Sequence, residues 1–286
     1  MWNRRPKENP ETQAIRERMQ AVAAQHGPWT GHNIRLAENV YTIRNEVMGL
    51  GLRARRFLQV TADILGKPFS ELRVLDLACC EGYYAIEFAL KGAQVVGIEG
   101  RDVHVERANF VRQEMGLQNV EFYVDDVRNL SRAKHGTFDV VICAGILYHL
   151  EAPDLFEFLE SIGEVCSRLA FFETHIALAS ETSRQYKGRT YWGSEFREHE
   201  ESLSPDARRA NLWASLDTPT SFWFNRRSLN NAINSSGFSS VLECHLPATF
   251  EPDDRICFVG LKGKPVKVEA THPGFNDIPV GWPDTK

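Results

Sequence analysis

The chain has 286 residues, 43% of them hydrophobic and 25% charged, which excludes collagen, coiled coil and wholesale disorder. A core of this size needs no disulfide or metal staple, and Cys79, Cys80, Cys143, Cys166, Cys244 and Cys257 include no CxxC pair. Residues 1–70 hold 11 Lys and Arg against 6 Asp and Glu, the remainder 22 against 32, for a net charge of −5. The acidic bulk argues against a dedicated nucleic-acid binder.

The opening MWNRRPKENP shows no signal-peptide pattern, and no apolar run approaches the ~20 residues of a membrane span. A reduced, cytoplasmic protein with no membrane partner is expected. Asn9-Pro10-Glu11 ahead of TQAIRERMQAVAAQ predicts a capped helix, stopped by His26-Gly27-Pro28. Its apolar side is Ile15, Met19, Val22 and Ala23. WTGHNIRLAENVYTI alternates like short strands or an extended crossing. A second helix is expected at about 50–65, with Leu52, Phe57, Val60 and Ile64 inward.

From Leu72 short apolar runs (RVLDLAC, AQVVGIEG, NVEFYVDD, FDVVICAG, RLAFFETH) alternate with helical patterns. Apolar strands without strict alternation suit a parallel sheet covered on both faces. The fold class expected is α/β, doubly wound and mostly parallel. The expected division is an N-terminal helical extension over 1–70 and a core over 71–176. A lid follows over 177–221, too long for an ordinary loop, then the returning core over 222–263 and an extended tail over 264–286.

The first strand delivers Asp76, then Ala78, Cys79, Cys80, Glu81, Gly82, Tyr83 and Tyr84 at the opening of a helix. Ligands of such sheets bind beyond the carboxyl ends of the strands, at the switch point. Glu99, ending the second strand, is placed to accept hydrogen bonds from a ribose diol. Asp125 and Asp126, ending the third, suit an exocyclic amine of adenine. The fourth runs from Phe138 to Cys143 and delivers Gly145-Ile146-Leu147-Tyr148-His149.

These residues resemble the class I S-adenosylmethionine-dependent methyltransferases over about 50–175 and 222–262. The matches are Asp76 to Gly82 for the glycine-rich loop, Glu99, Asp125 or Asp126, and Phe138-Asp139-Val140-Val141. The resemblance implies S-adenosylmethionine as cofactor, held by Asp76, Ala78, Cys79, Gly82, Tyr84, Glu99, Gly100, Asp125, Asp126, Val127 and Ala144. Ala78 and Cys80 stand where the family usually has glycines. Both carry a Cβ and disfavour positive φ, so the turn is expected to keep to ordinary φ/ψ space. A nicotinamide fold would want GxGxxG and a pyrophosphate beside Glu81, which is electrostatically costly.

Methyl transfer needs alignment and a proton acceptor. His149 is the first choice for base, with Glu173 and His175 on one face of the fifth strand as further catalytic candidates. No metal is expected, because the spacing of these three matches no metal motif. For the small-molecule substrate the candidates are Tyr148, Tyr191, Trp223 and Arg226, from the loop and the aromatic lid. The acceptor is expected to be a ring-shaped metabolite such as a sugar, an aromatic or a polyketide-like natural product, methylated on oxygen slightly in preference to nitrogen.

GILYHLEAP is also similar to the tRNA wobble-uridine carboxymethyltransferases. That likeness implies a carboxylated cofactor and tRNA contacts from Arg4, Arg5, Arg53, Arg55 and Arg56. A non-catalytic scaffold of the same fold is the third reading, and a homo-oligomer is left open.

Overall fold

The computed structural model describes residues 9–43, 50–245 and 254–264. The expected tail, Arg4 and Arg5 lie outside the described residues, apart from Lys264. Pro10–His26 is the first helix, α1; Asn9 Oδ1 accepts the Glu11 N–H at 3.0 Å and Gly27 ends it at φ 87°. The crossing segment forms a small antiparallel pair, Arg35–Ala37 (β1) with Val40–Tyr41 (β2). Leu50–Leu65 follows as α2, its Phe57 fully buried and stacked on Phe171 at 4.3 Å. Leu52, expected inward on this helix, is exposed.

The core then alternates as the apolar runs require. Its elements in order are Arg73–Leu77 (β3), Tyr83–Leu90 (α3), Gln94–Glu99 (β4), Asp102–Glu114 (α4) and Val120–Val124 (β5). Next come Arg132–His135 (α5), Phe138–Ala144 (β6), Asp154–Val165 (α6) and Cys166–His175 (β7). The lid holds Thr182–Tyr186 (β8), Arg189–Arg197 (β9), Pro205–Ala210 (α7) and Thr220–Phe224 (β10). Arg226–Ser235 (α8), Ser240–Glu243 (β11) and Arg255–Leu261 (β12) complete the core.

Seven strands form one sheet in the order β11-β12-β7-β6-β3-β4-β5. It is parallel from β7 through β5, while β12 is antiparallel to both its neighbours. The chain leaves β3 first toward β4 and β5, then returns to lay β6 on its other side. That reversal between β3 and β6 splays the flanking segments and opens a crevice at their carboxyl ends. One face of the sheet buries Val74, Val140 and Phe171 against α1 to α4, among them Phe57 and Phe88. The other buries Leu75, Val141 and Phe172 against Phe158, Ile162 and Phe238. Strands covered on both sides have no polar face to show, hence their unbroken apolar runs.

The lid is a three-stranded antiparallel sheet in the order β10-β9-β8. Its third strand runs to Phe224, beyond the boundary expected at 221. Alternation along β9 turns Tyr191 inward and Trp192 and Phe196 out to solvent. Inward Tyr191, Phe222 and Phe224 pack around Phe156 of α6, so the lid is anchored by apolar burial.

Candidate active site

The turn after β3 approaches the crevice most closely, and its backbone contradicts the ordinary-φ expectation. Ala78 has φ 52° and Cys80 φ 47°, so both adopt the left-handed region despite their Cβ atoms. Each such residue costs about 1–2 kcal/mol. The turn is held in place by what surrounds it. Glu99 Oε2 accepts the Cys80 N–H at 3.0 Å, Asp76 Oδ2 accepts the Ala85 N–H at 3.0 Å, and Cys79 N–H bonds the Ile98 carbonyl. Gly82, at φ 82°, begins α3 from behind the turn, where an added Cβ would lie 2.6 Å from the Phe122 ring.

The crevice has two connected lobes of about 380 and 90 Å³ that share Ala78, Cys80, Gly145, His149 and Leu212. Asp76, Cys79, Tyr84, Ala144 and Tyr148 line the larger; Glu99, Gly100, Asp126 and Val127 line the smaller. The fit to a nucleoside rests on Glu99. Its Oε1 accepts the Arg101 N–H at 2.9 Å and its Oε2 that of Cys80, leaving a lone pair on each oxygen for a diol. Burial pushes the Glu99 carboxyl up, but the nearby His104 ring and the two backbone donors outweigh it and hold the group low. Asp76 is the opposite case, pushed up to about 8 by burial and then by Glu99.

Two expected cofactor residues do not line the crevice. Gly82 lies behind the turn, and Asp125 is turned away to Asn129, Lys134 and His135. Asp126 does face the smaller lobe, held by the Arg128 guanidinium, which also reaches Asp217 of the lid at 2.7 Å.

At the other side stands His149. Its Nδ1 lies 3.0 Å from both carboxylate oxygens of Glu198, just beyond β9. Ser221 Oγ and Ser215 N–H also donate to Glu198, at 2.8 and 2.9 Å. Burial raises the Glu198 carboxyl, yet these donors bring it below its ordinary range. Beside an ionised Glu198, the neutral imidazole of His149 would carry its proton on Nδ1 and present Nε2 as the acceptor. Glu198 is the partner of His149 that sequence reasoning passed over. Its only signal was the charged cluster REHEES.

The other catalytic candidates are corrected. Glu173 is 1% exposed, its carboxylate forked by Arg255 Nε and Nη2 with Arg53 3.5 Å away. Burial raises it, but the two guanidinium groups prevail and keep it ionised. A carboxylate so held is a poor base. His175 lies 3.1 Å from Asp254 and is stacked on Trp223 at 5.1 Å, outside the crevice lining.

Of the substrate candidates, Tyr148 lines the larger lobe. Trp223 stands behind it, its Nε1 donating to the Tyr148 carbonyl at 2.9 Å. Tyr191 is core, 3% exposed against Phe156 and Phe224. Arg226 is exposed and pairs with Glu243, away from the crevice. Arg53, counted toward RNA, points instead into the crevice wall.

Two segments close over the site. Glu81, fully buried, accepts from Thr30 N–H at 2.6 Å and His32 N–H at 2.9 Å, and pairs with Arg107 at 3.2 Å. It faces away from the lobes and fastens the N-terminal segment beside them. From the lid, Trp213 reaches the larger lobe and Leu216 packs where a Cβ on Gly100 would sit, 2.5 Å away. Arg101 bonds the carbonyls of Arg209, Asn211 and Ala214.

Residues 68–194 match the family model described as a methyltransferase domain. Over 113 residues the chain is 33% identical to the ubiquinone biosynthesis O-methyltransferase of Chromobacterium violaceum, covering 40% of this chain and 44% of that one. Over 87 residues it is 31% identical to the O-antigen chain terminator bifunctional methyltransferase/kinase WbdD of Escherichia coli, covering 30% and 12%. The chain thus spans less than half the length of these curated relatives. The N-terminal domain of EvdMO1, crystallised in the presence of SAH and D-fucose, superposes with a TM-score of 0.67 at 25% identity, covering 90% of this chain and 100% of that domain. Magnesium protoporphyrin IX methyltransferase from Synechocystis PCC 6803, with bound SAM, shares the fold at 14% identity and a TM-score of 0.51, covering 91% and 100%.

Proposed function

We propose that this member of the class I S-adenosylmethionine-dependent methyltransferases moves a methyl group to a hydroxyl oxygen of a small, sugar-like metabolite. The observation that carries the reading is the His149–Glu198 pair at the junction of the two lobes. S-adenosylmethionine, when bound, supplies an activated methyl on its sulfonium. Glu99 and Asp126 would hold the ribose and adenine sides in the smaller lobe, with Asp76, Ala78, Cys79, Tyr84 and Ala144 lining the larger. His149 Nε2 would take the acceptor's hydroxyl proton as its oxygen gains the methyl group and the sulfur–methyl bond breaks to leave S-adenosylhomocysteine, and Glu198 would steady the imidazolium. Tyr148 and Trp213 give an apolar wall and the lid limits water, which suits a ring bearing hydroxyls.

The relatives named for O-methylation, and the neighbour crystallised with D-fucose, support oxygen and a sugar-like acceptor. Among the described residues no helix is long and apolar enough to cross a membrane.

The test combines calorimetry with S-adenosylhomocysteine and a release assay over a panel of deoxyhexoses, free and nucleotide-linked. His149→Ala is expected to lower kcat about 10²–10⁴-fold with unchanged product affinity. Glu198→Gln is expected to lower kcat about tenfold at nearly constant KM. No nucleoside binding would refute the donor, and an unimpaired His149→Ala would remove the base.

A further inference from the structure

Cys80, Glu99 and His104 offer a thiol, a carboxylate oxygen and an imidazole nitrogen that all lie within 4.8 Å of one another. We propose that these three residues form a Zn²⁺ site whose occupancy excludes the methyl donor. They come from the turn after β3, the end of β4 and the first turn of α4.

His104 carries the argument. It is 1% exposed, and neither ring nitrogen finds a hydrogen-bond partner among the described residues. Its Nδ1 stands 3.6 Å from Glu99 Oε1, beyond hydrogen-bond reach. Leaving such a group unsatisfied costs about 1–3 kcal/mol. A cation between the three side chains would give one of those two nitrogens a partner.

The donor set is the right chemistry. Thiolate, imidazole and carboxylate are the ligands of Zn²⁺, and three protein ligands leave one position for water. Bond lengths of about 2.0–2.3 Å put tetrahedral ligand atoms roughly 3.3–3.7 Å apart, so the side chains must close by ~1 Å. Glu99 still has a free lone pair on each oxygen after its two backbone bonds. The entry path exists, since Cys80 opens on both lobes, Glu99 on the smaller and His104 on the larger. As the sulfur–zinc bond forms, the Cys80 thiol releases its proton to solvent and the ion sheds waters, with no change of oxidation state.

Exclusion follows because Glu99 cannot hold the ion and a ribose diol together; this half of the proposal rests on the function proposed above. Tag-free, metal-free protein kept reduced with a non-chelating phosphine is titrated with Zn²⁺ alone. Binding of one ion per chain is expected, at least tenfold weaker in His104→Asn and in Cys80→Gly. The glycine variant suits φ 47° and so keeps the turn, and thermal melting confirms folding of both variants. Absence of binding, or equal binding by both folded variants, overturns the site. With zinc held tenfold above its dissociation constant, the apparent affinity for S-adenosylhomocysteine is expected to fall about elevenfold. Unchanged affinity there overturns exclusion. Zinc binding by a protein that never binds the nucleoside refutes the methyltransferase reading and leaves the metal site standing.

Discussion

At the turn after β3, Ala78 and Cys80 occupy left-handed backbone that glycine adopts freely. The geometry persists because Glu99 and the Ile98 carbonyl hold the turn's backbone from outside. Residue identity could warn of strain there, but could not say whether the turn would yield. Asp76 beside it yields a pH prediction. Its pKa is about 8 in the folded protein against 3.8 for the ordinary side chain, so the native state binds the extra proton. Between these values the folded state holds more protons than the unfolded, and this group's contribution to stability is lost as pH rises through about 8. Asp76→Asn keeps the acceptor for Ala85 and removes the titration. Relative to the variant, the wild type should lose stability by up to ~1.4 kcal/mol per pH unit between pH 5 and 8, measured by urea unfolding. Parallel pH profiles would show that Asp76 stays ionised.

Among elements, the lid decides how the site is completed. Strand β9 and its continuation bring Glu198 to His149, and the 209–217 segment roofs the smaller lobe through Arg101 and Arg128. The Arg101 guanidinium is buried against the lid carbonyls of Arg209, Asn211, Ala214 and Ser215. Arg101→Ala leaves those carbonyls short of donors. Faster proteolytic cleavage within 209–217 and about tenfold weaker S-adenosylhomocysteine binding are expected, with the core transition retained. Cleavage and affinity as in the wild type would show that apolar packing alone holds the roof. The lid's aromatic content was legible in the sequence. The packing of Phe222 and Phe224 against the core was expected as well, but the inward turn of Tyr191 was not, because that depends on strand register.

For the molecule as a whole, Glu81 joins the N-terminal extension to the core. Five donors converge on a carboxylate with no exposure. Glu81→Gln leaves Arg107 buried without its countercharge, and a loss of about 3–5 kcal/mol is expected. Hydrogen exchange should then quicken at residues 30–32 before the sheet opens. A change below 1 kcal/mol would mean that Arg107 is satisfied by the His26 carbonyl alone. The fold was legible because apolar runs alternate with helix signals from Leu72 to Ala144, with acids at the ends of the first three core strands. The basic front was legible as charge, but Arg53 is spent inside the crevice opposite Glu173.

The sequence by itself determined the doubly wound, mostly parallel α/β class and put Glu99, Asp126, Tyr148 and His149 at strand ends that line the crevice. These follow from local pattern, since strand ends in such a sheet always point at the same edge. Only the tertiary structure decided that Glu173 is neutralised by Arg255, that Tyr191 and Arg226 stand elsewhere, and that Glu198 serves His149 from 49 residues away. Those outcomes depend on which groups meet across long separations, and burial then sets which charges stay paired and which remain free to act.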